Sequence, residues 1–471
     1  MSNPIYRFFK ATKSWLAFRG YAAAKNTRFR GTRGVDPIRS EELELQQYER
    51  DKVVSTCLAF RRDNPVVASI SRLRKADVVG RGITPQPMTG NDDLNESISA
   101  AWKDFCQSPE ITGMMTMRQL QQQMADSLLF FGDCGLIWTN LGKVQFVDGS
   151  RIGNPSGTYT SSEDDRNQNG VLVNEFGKPI AYNIGKRVHG VLTNIHEVPA
   201  YNFIMLLKRL RADQYRGVPE LAPILNTLQD CDEYDRTEGI AAKVAASLSV
   251  FIADETPNQF ADDGLEPAAD QDDSGNLQSI DPGAYEYGKP GQKPYVISSN
   301  GRPNVDGIQW VQYLLRKCGS AVGIPLEFLM MEIGGSSFSA SQGVILQYQQ
   351  TIENYQADLI EALDLLYKRW LSYQVATGAV KMPEGADLFH VRWQPPLFRW
   401  VNKVAQVKAD MEYFKMGILS LDDIASPFGH TAEDALRRKA QNIKKAREIA
   451  TEEGVADVSL IESLPKQAQR D

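Results

Sequence analysis

Apolar positions along the chain change their period twice. From Ser40 they recur every three or four residues through EELELQQYERDKVVSTCLAFRRD, which predicts one helix running to Asn64-Pro65, with Ser40 as N-cap and acids in its first turn. The pattern restarts in PVVASISRLRKADVVG and stops at Gly80; GRGITPQP must be extended, because its prolines and glycines forbid helix. Helical periodicity returns in LNESISAAWKDFCQ and TMRQLQQQMADSLLFFG. Then the period drops to two. CGLIWT, KVQFV, GVLVNEF, IAYNI, VHGVL and FIMLL are short β-rich runs, and VLVNEFGKPIAYNI reads as a hairpin turning at Gly177-Lys178-Pro179. Helix resumes over 219–253 and again over VDGIQWVQYLLRKCGSAVG, with a Pro-, Gly- and Asp-rich excursion between them that holds the strand-like PYVIS.

The longest helical pattern comes last. Over 340–376 every seventh residue from Ile345 is apolar (Ile352, Leu359, Leu366, Tyr373), and Tyr348, Tyr355 and Ala362 form a companion row. Such a helix is about 55 Å long and spans a lobe or packs along a neighbour. A β-rich patch set in a helical chain predicts an α+β fold, mainly helical. At 471 residues the chain needs two or three lobes.

Charge refines this picture. Net charge is −7, but the signs are segregated: residues 1–34 carry eight Lys or Arg and no acid, 254–273 carry eight acids and no base, and 436–447 carry six bases. The N-terminal stretch alternates bases with Phe8, Phe9, Trp15 and Phe18, which suits a membrane surface or a partner's groove, the groove being favoured in a soluble assembly protein; it lacks the continuous apolar core of a secretory signal. No apolar run reaches bilayer length, so no membrane partner is expected. Five scattered cysteines without CxxC spacing argue for reduced thiols.

Candidate chemistry is sparse. The Gly-rich GGSS lacks the Lys-Ser/Thr of a phosphate loop, and NEFGKP places proline where the magnesium-binding hydroxyl belongs. In DCDEYD, Asp230 and Glu233 share one helical face while Asp232 and Asp235 sit on the next, so the four do not converge on a metal. No nucleophile elbow, SxxK or metal-spaced histidine occurs. These absences predict no enzyme activity, no cofactor and no metal.

Five segments occur in the order found in the tailed-phage portal protein family, lambda-like branch, which the chain resembles over roughly residues 40 to 425. They are FRRDNPVVASISRLRKADVVGRGITPQP, LLFFGDCGLIW, NEFGKPIAYNI, RADQYRGVPELAPIL, and AVGIPLEFLMMEIGGSSFSASQ ahead of the long helix. Members commonly carry an arginine soon after the Ser-rich loop; Ser341-Gln342 stand there instead. The resemblance implies a homo-oligomeric ring, usually a dodecamer, at one capsid vertex of the virion, assembled in the host cytoplasm. The ring is the channel for double-stranded DNA in packaging and ejection, read without sequence preference.

The parts implied are a basic N-terminal arm (1–39), wing (40–219), first stem helix (220–252), clip (253–304), second stem helix and turn (305–328), tunnel loop (329–341), long wing helix and return (342–425) and short crown (426–471). Gly334, Gly335, Ser336, Ser337 and Phe338 would face DNA. Asp262, Asp263, Asp270, Asp272 and Asp273 would dock the terminase large subunit and the head-completion adaptor. Arg437, Arg438, Lys439, Lys444, Lys445 and Arg447 form a C-terminal basic patch able to touch phosphates. Major capsid or scaffold protein is the remaining partner. The other reading is a minor capsid or scaffold-like assembly protein without a channel.

Overall fold

The structure, a computed structural model, describes residues 40–154, 166–246, 250–254, 292–296, 305–332, 338–381, 387–396, 403–425 and 432–452. The described part is mixed α and β and mainly helical, as the periodicity predicts.

The expected helix from Ser40 is two helices. α1 (Glu41–Glu44) stops after one turn and α2 (Gln47–Asp63) restarts. Tertiary bonds break the run: the buried Glu42 carboxylate accepts from the Tyr215 and Arg216 amides at 2.8 and 2.9 Å, and Gln47 brackets Asn154, accepting from its amide at 2.7 Å. Asn64 ends α2 and caps α3 (Pro65–Arg74), its Oδ1 accepting from the Val66 and Val67 amides, with Pro65 at the position where a missing N–H costs nothing. A π-helical turn, Lys75–Val79, carries the chain to Gly80. The extended 80–87 stretch contains β1 (Thr84–Pro87), which pairs antiparallel with β11 (Val391–Gln394), some 300 residues away.

α4 (Asp92–Gln107) is capped by Asn91, and α5 (Met117–Phe130) by a capping box of Thr116 and Gln119. β2 (Asp133–Trp138) is the centre of an antiparallel sheet between β3 (Val144–Asp148) and β8 (Phe203–Leu207). A second sheet runs in order β4 (Asn167–Gln168), β5 (Val171–Val173), β6 (Pro179–Val188), β7 (Val191–Pro199). The β5–β6 turn falls where expected, with Asn174 Oδ1 accepting from the Phe176 and Lys178 amides. VHGVL is not one strand: His189 and Gly190, both at positive φ (52° and 82°), turn the chain between β6 and β7.

α6 (Leu225–Ala246) is shorter than the helix expected over 219–253. A 3-10 turn, Ala222–Ile224, precedes it, and Val250–Asp254 is β9, paired with β10 (Gln292–Val296). The β-branched and aromatic run VFIA outweighs helical periodicity once it has a strand partner. α7 (Val305–Val322) packs on α6 around Cys231, Leu314 and Leu315. α8 (Leu326–Leu329) and the 39-residue α9 (Phe338–Ala376) follow, then α10 (Lys403–Lys415), α11 (Leu421–Ala425) and α12 (Ala432–Glu452).

One large core joins α3, α5, the β2 sheet and α9. The apolar seam of α9 is its spine: Tyr348, Ile352, Tyr355, Leu359, Ala362 and Leu366 are all buried, while Ile345 and Tyr373 at the ends are half-buried. Trp370 and Tyr367, off that heptad row, join Trp102 of α4 in an aromatic cluster, with Trp102 and Trp370 4.8 Å apart and edge-on. The long helix therefore packs on its own chain.

Candidate functional site: the frame of the Gly-Ser loop

Gly334, Gly335, Ser336 and Ser337 lie outside the described residues, as do the acids Asp262, Asp263, Asp270, Asp272 and Asp273 and the whole 1–39 arm. The residues that lead into and out of the Gly-Ser loop are described, and the two helices ahead of it, α7 and α8, end alike. α7 closes with Gly323 at φ +71° and the Ile324 amide donating to Gly319 O at 2.9 Å, five residues back. α8 closes the same way, with Glu332 N donating to Glu327 O at 3.0 Å, but the left-handed residue is Met331 at φ +54°. A methionine in that conformation costs roughly 1–2 kcal/mol relative to right-handed backbone. Met330 and Met331 are both largely exposed.

The far end of the loop is α9 itself, which starts at Phe338. Its described side chains from Gln342 to Gln347 are exposed or half-buried, and Tyr348 is the first to reach the core. Tyr348 Oη donates to Asp77 Oδ2 at 2.8 Å, and the Phe328 ring of α8 lies 4.7 Å from the Tyr348 ring. Burial, then the Asp77 charge, pushes the Tyr348 phenol well up, so it stays a donor. Roughly ten residues of helix, about 15 Å, thus lead from this anchor to the loop.

Behind the anchor sits an ionic clamp. Glu220 Oε2 accepts from Arg74 at 2.9 Å and from Tyr355 Oη at 3.0 Å. The Arg74 guanidinium lies 3.4 Å from the Tyr355 ring centroid, and Lys208 Nζ lies 4.5 Å from it. Arg74 also donates to Val322 O at 3.4 Å, the last residue of α7. Burial alone would lower the Arg74 pKa, but Glu220 and Tyr355 outweigh it and raise it. Gln356 holds the same stretch of α9 to Val78 O and Pro396 O, at 3.3 and 3.2 Å. One cluster therefore ties α3, the approach to α6, the end of α7 and the middle of α9.

A second hub fixes the segment that enters α6. Arg216 is fully buried and pairs with Asp133 at 2.7 Å, while its other N–H groups reach Gly149 O, Ile152 O and Asn169 O at 2.6–2.9 Å. Gly217 is required beside it, since an added Cβ would meet Gly132 O at 1.8 Å. Arg50 donates to Gly217 O. Burial, then the neighbouring Arg216, lowers the Arg50 pKa to about 10. Sequence reading passed over Glu42, Asp133, Arg216, Arg74 and Glu220; their signal was charge set in apolar runs, Asp133 inside LLFFGDCGLIW and Arg74 closing PVVASISRLR.

The basic patch lies on α12, and its six side chains are exposed. Helical geometry spreads them: Arg437 and Lys444 share one line, Arg438 and Lys445 the next, while Lys439 and Arg447 fall beside the apolar stripe of Leu436, Ala440 and Ile443. Arg437 pairs with Glu433 at 2.6 Å. Asp232 accepts from Asn64 Nδ2 at 2.9 Å and the DCDEYD carboxylates stay dispersed; among the described residues no cluster could hold a metal, and no helix is long and apolar enough to cross a membrane.

Among solved structures, the neck of an empty gene transfer agent particle computed with C6 symmetry is 13% identical, with a TM-score of 0.51, covering 80% of this chain and 93% of that one. A native gene transfer agent neck computed with C12 symmetry gives 12% identity and 0.49 over 78% and 92%. An HK97 family phage portal protein from Corynebacterium diphtheriae gives 13% and 0.33 over 67% and 90%. No curated protein matches the chain. Residues 29–356, more than half of the sequence, match the family described as "Phage portal protein, lambda family", and with that match the chain belongs to the lambda family of phage portal proteins.

Proposed function

We propose that this chain is the portal subunit of a phage particle, a virion component that assembles as a ring at one capsid vertex and through which double-stranded DNA enters and leaves. The family is structural, not enzymatic, so other proteins supply the packaging work. The match over residues 29–356 carries this reading. The ring is taken as a dodecamer, a number compatible with the six-fold symmetry of the neck that shares the fold. Head-to-tail contacts between identical chains close by rotation into such a ring.

In this reading 220–252 and 305–328, which contain α6 and α7, are the stem, 253–304 the clip that docks terminase and the head-completion adaptor, and 426–471 the short crown. The Gly-Ser loop is the tunnel loop, with Gly334, Gly335, Ser336, Ser337 and Phe338 toward the duplex. Physical chemistry favours a neutral, pliant tip. Strong phosphate contacts hold DNA in place, whereas a moving duplex needs contacts that break at little cost. Twelve chains of net charge −7 carry about −84, which opposes static binding.

Electron-microscopy class averages of the purified full-length chain test the reading. Rings with a central hole are expected; monomers under capsid-assembly conditions, or compact particles without a hole, overturn it. The loop assignment has its own test. Ser336→Lys with Ser337→Lys should slow packaging while leaving ring formation intact, and unchanged packaging rates count against it.

A further inference from the structure

The basic, aromatic stretch ahead of Ser40 has no part in the function proposed above, and the structure offers a seat for it. Between α2 and the start of α6 lies a groove of about 530 Å³ whose apolar wall, Leu45, Tyr48, Val53, Phe60 and Leu225, is interrupted by Glu49, Lys52, Thr56 and Asn226, with Gln229 at its end. Tyr48 in its wall is 70% exposed. The apolar part of a groove open to water gains from a chain that covers it.

The surroundings select the chemistry of that cover. Past Gln229, α6 carries Asp230, Asp232, Glu233 and Asp235 before its first base, Arg236. Asp230, Glu233 and Asp235 are exposed, and Glu49 adds a carboxylate in the groove wall against Lys52. Burial, then the neighbouring Asp232, raises the Asp235 carboxyl, as expected where like charges crowd. The acids beyond the groove disfavour a phosphate-bearing partner. A partner with aromatic rings and positive charge fits.

We infer that this groove is the docking site of the chain's own N-terminal arm, residues 6–21. That segment, YRFFKATKSWLAFRGY, holds Tyr6, Phe8, Phe9, Trp15, Phe18 and Tyr21 among Arg7, Lys10, Lys13 and Arg19, and the chain's first acid is Asp36. Its attachment point is in place: Ser40 opens α1, five residues before Leu45 in the groove wall. The 19 residues from Tyr21 to Ser40 span up to about 60 Å when extended, ample to turn back along a groove. Rings in the groove bury apolar area, and the bases meet the α6 carboxylates at the rim, a term that sets register more than affinity.

Replacing exposed Tyr48 by the photoreactive residue p-benzoylphenylalanine in the full-length chain tests this. Irradiation should give cross-links that map by mass spectrometry to residues 6–21. Deleting residues 1–33 is the blank that removes these cross-links, and the full-length yield should fall severalfold between 0.1 and 1 M NaCl as the ionic part is screened. Should the deletion misfold, the full-length Arg7→Gln/Lys10→Gln/Lys13→Gln chain serves, with a severalfold loss expected at an unchanged melting temperature. Cross-links to other peptides, none at all, or a yield indifferent to these changes overturn the inference. Ring-forming protein with such a result would leave the portal reading standing.

Discussion

The Arg216 hub and the end of α8 treat backbone and charge in opposite ways. At the hub a fully buried arginine spends its donors on one carboxylate and three carbonyls, and the glycine beside it is demanded by backbone a short contact away. At the end of α8 an exposed methionine holds a left-handed position that glycine would occupy without strain, with Arg72 Nη2 3.6 Å from its sulfur. The first arrangement permits one geometry. The second is held to the rest of the chain by little more than the Arg72 contact and Ser69 Oγ donating to Leu329 O at 3.2 Å, so small energies suffice to rearrange it. A rigid seat for α6 and an adjustable root for the Gly-Ser loop is what the proposed portal role would require.

The sharpest way to break that contrast is to remove a charge from the hub. Arg216→Ala leaves Asp133 buried and uncompensated and should cost about 3–5 kcal/mol in denaturant unfolding, whereas a loss below about 1 kcal/mol would mean the hub relaxes as easily as the loop root. Next comes the clamp behind the loop. Tyr355→Phe removes the donor to Glu220 while keeping the ring under Arg74, and about 1–2 kcal/mol should be lost, read by the same unfolding curve.

A third prediction concerns partners. Changing Asp262, Asp263, Asp270, Asp272 and Asp273 to Asn should weaken terminase or adaptor binding about tenfold and flatten its salt dependence, with melting unaltered; undiminished binding by titration would reject the clip role. The smallest effect belongs to the loop root. Met331→Gly relieves roughly 1–2 kcal/mol of left-handed strain but adds unfolded-state freedom of about 0.5–1 kcal/mol, so stability should rise by about 0.5 kcal/mol. A clear loss would show that the Met331 side chain matters more than its backbone.

How much of this was legible depended on whether the cause was local. The Asn64-Pro65 junction, the Asn174 turn and the seam of α9 declare themselves in a few residues, because caps, turns and helical faces are set by neighbours in sequence. The break between Glu44 and Gln47 did not, because its cause is Tyr215, Arg216 and Asn154, more than a hundred residues away. VFIA after α6 was read as helix for the same reason: its pairing partner, Gln292–Val296, lies across the acidic excursion. The Gly-Ser loop announced itself by composition, and the clamp that supports it did not.

Sequence alone determined the mainly helical α+β character, the long helix and its buried face, the segregation of charge and the family. These follow from periodicity, propensity and motif order, each readable within a short window. Only the tertiary structure decided that β1 meets β11, that Arg74, Glu220 and Tyr355 converge on one point, and that an open groove lies beside the α6 carboxylates. A buried charge or an apolar groove is defined by what surrounds it, and those surroundings come from segments the chain order keeps apart.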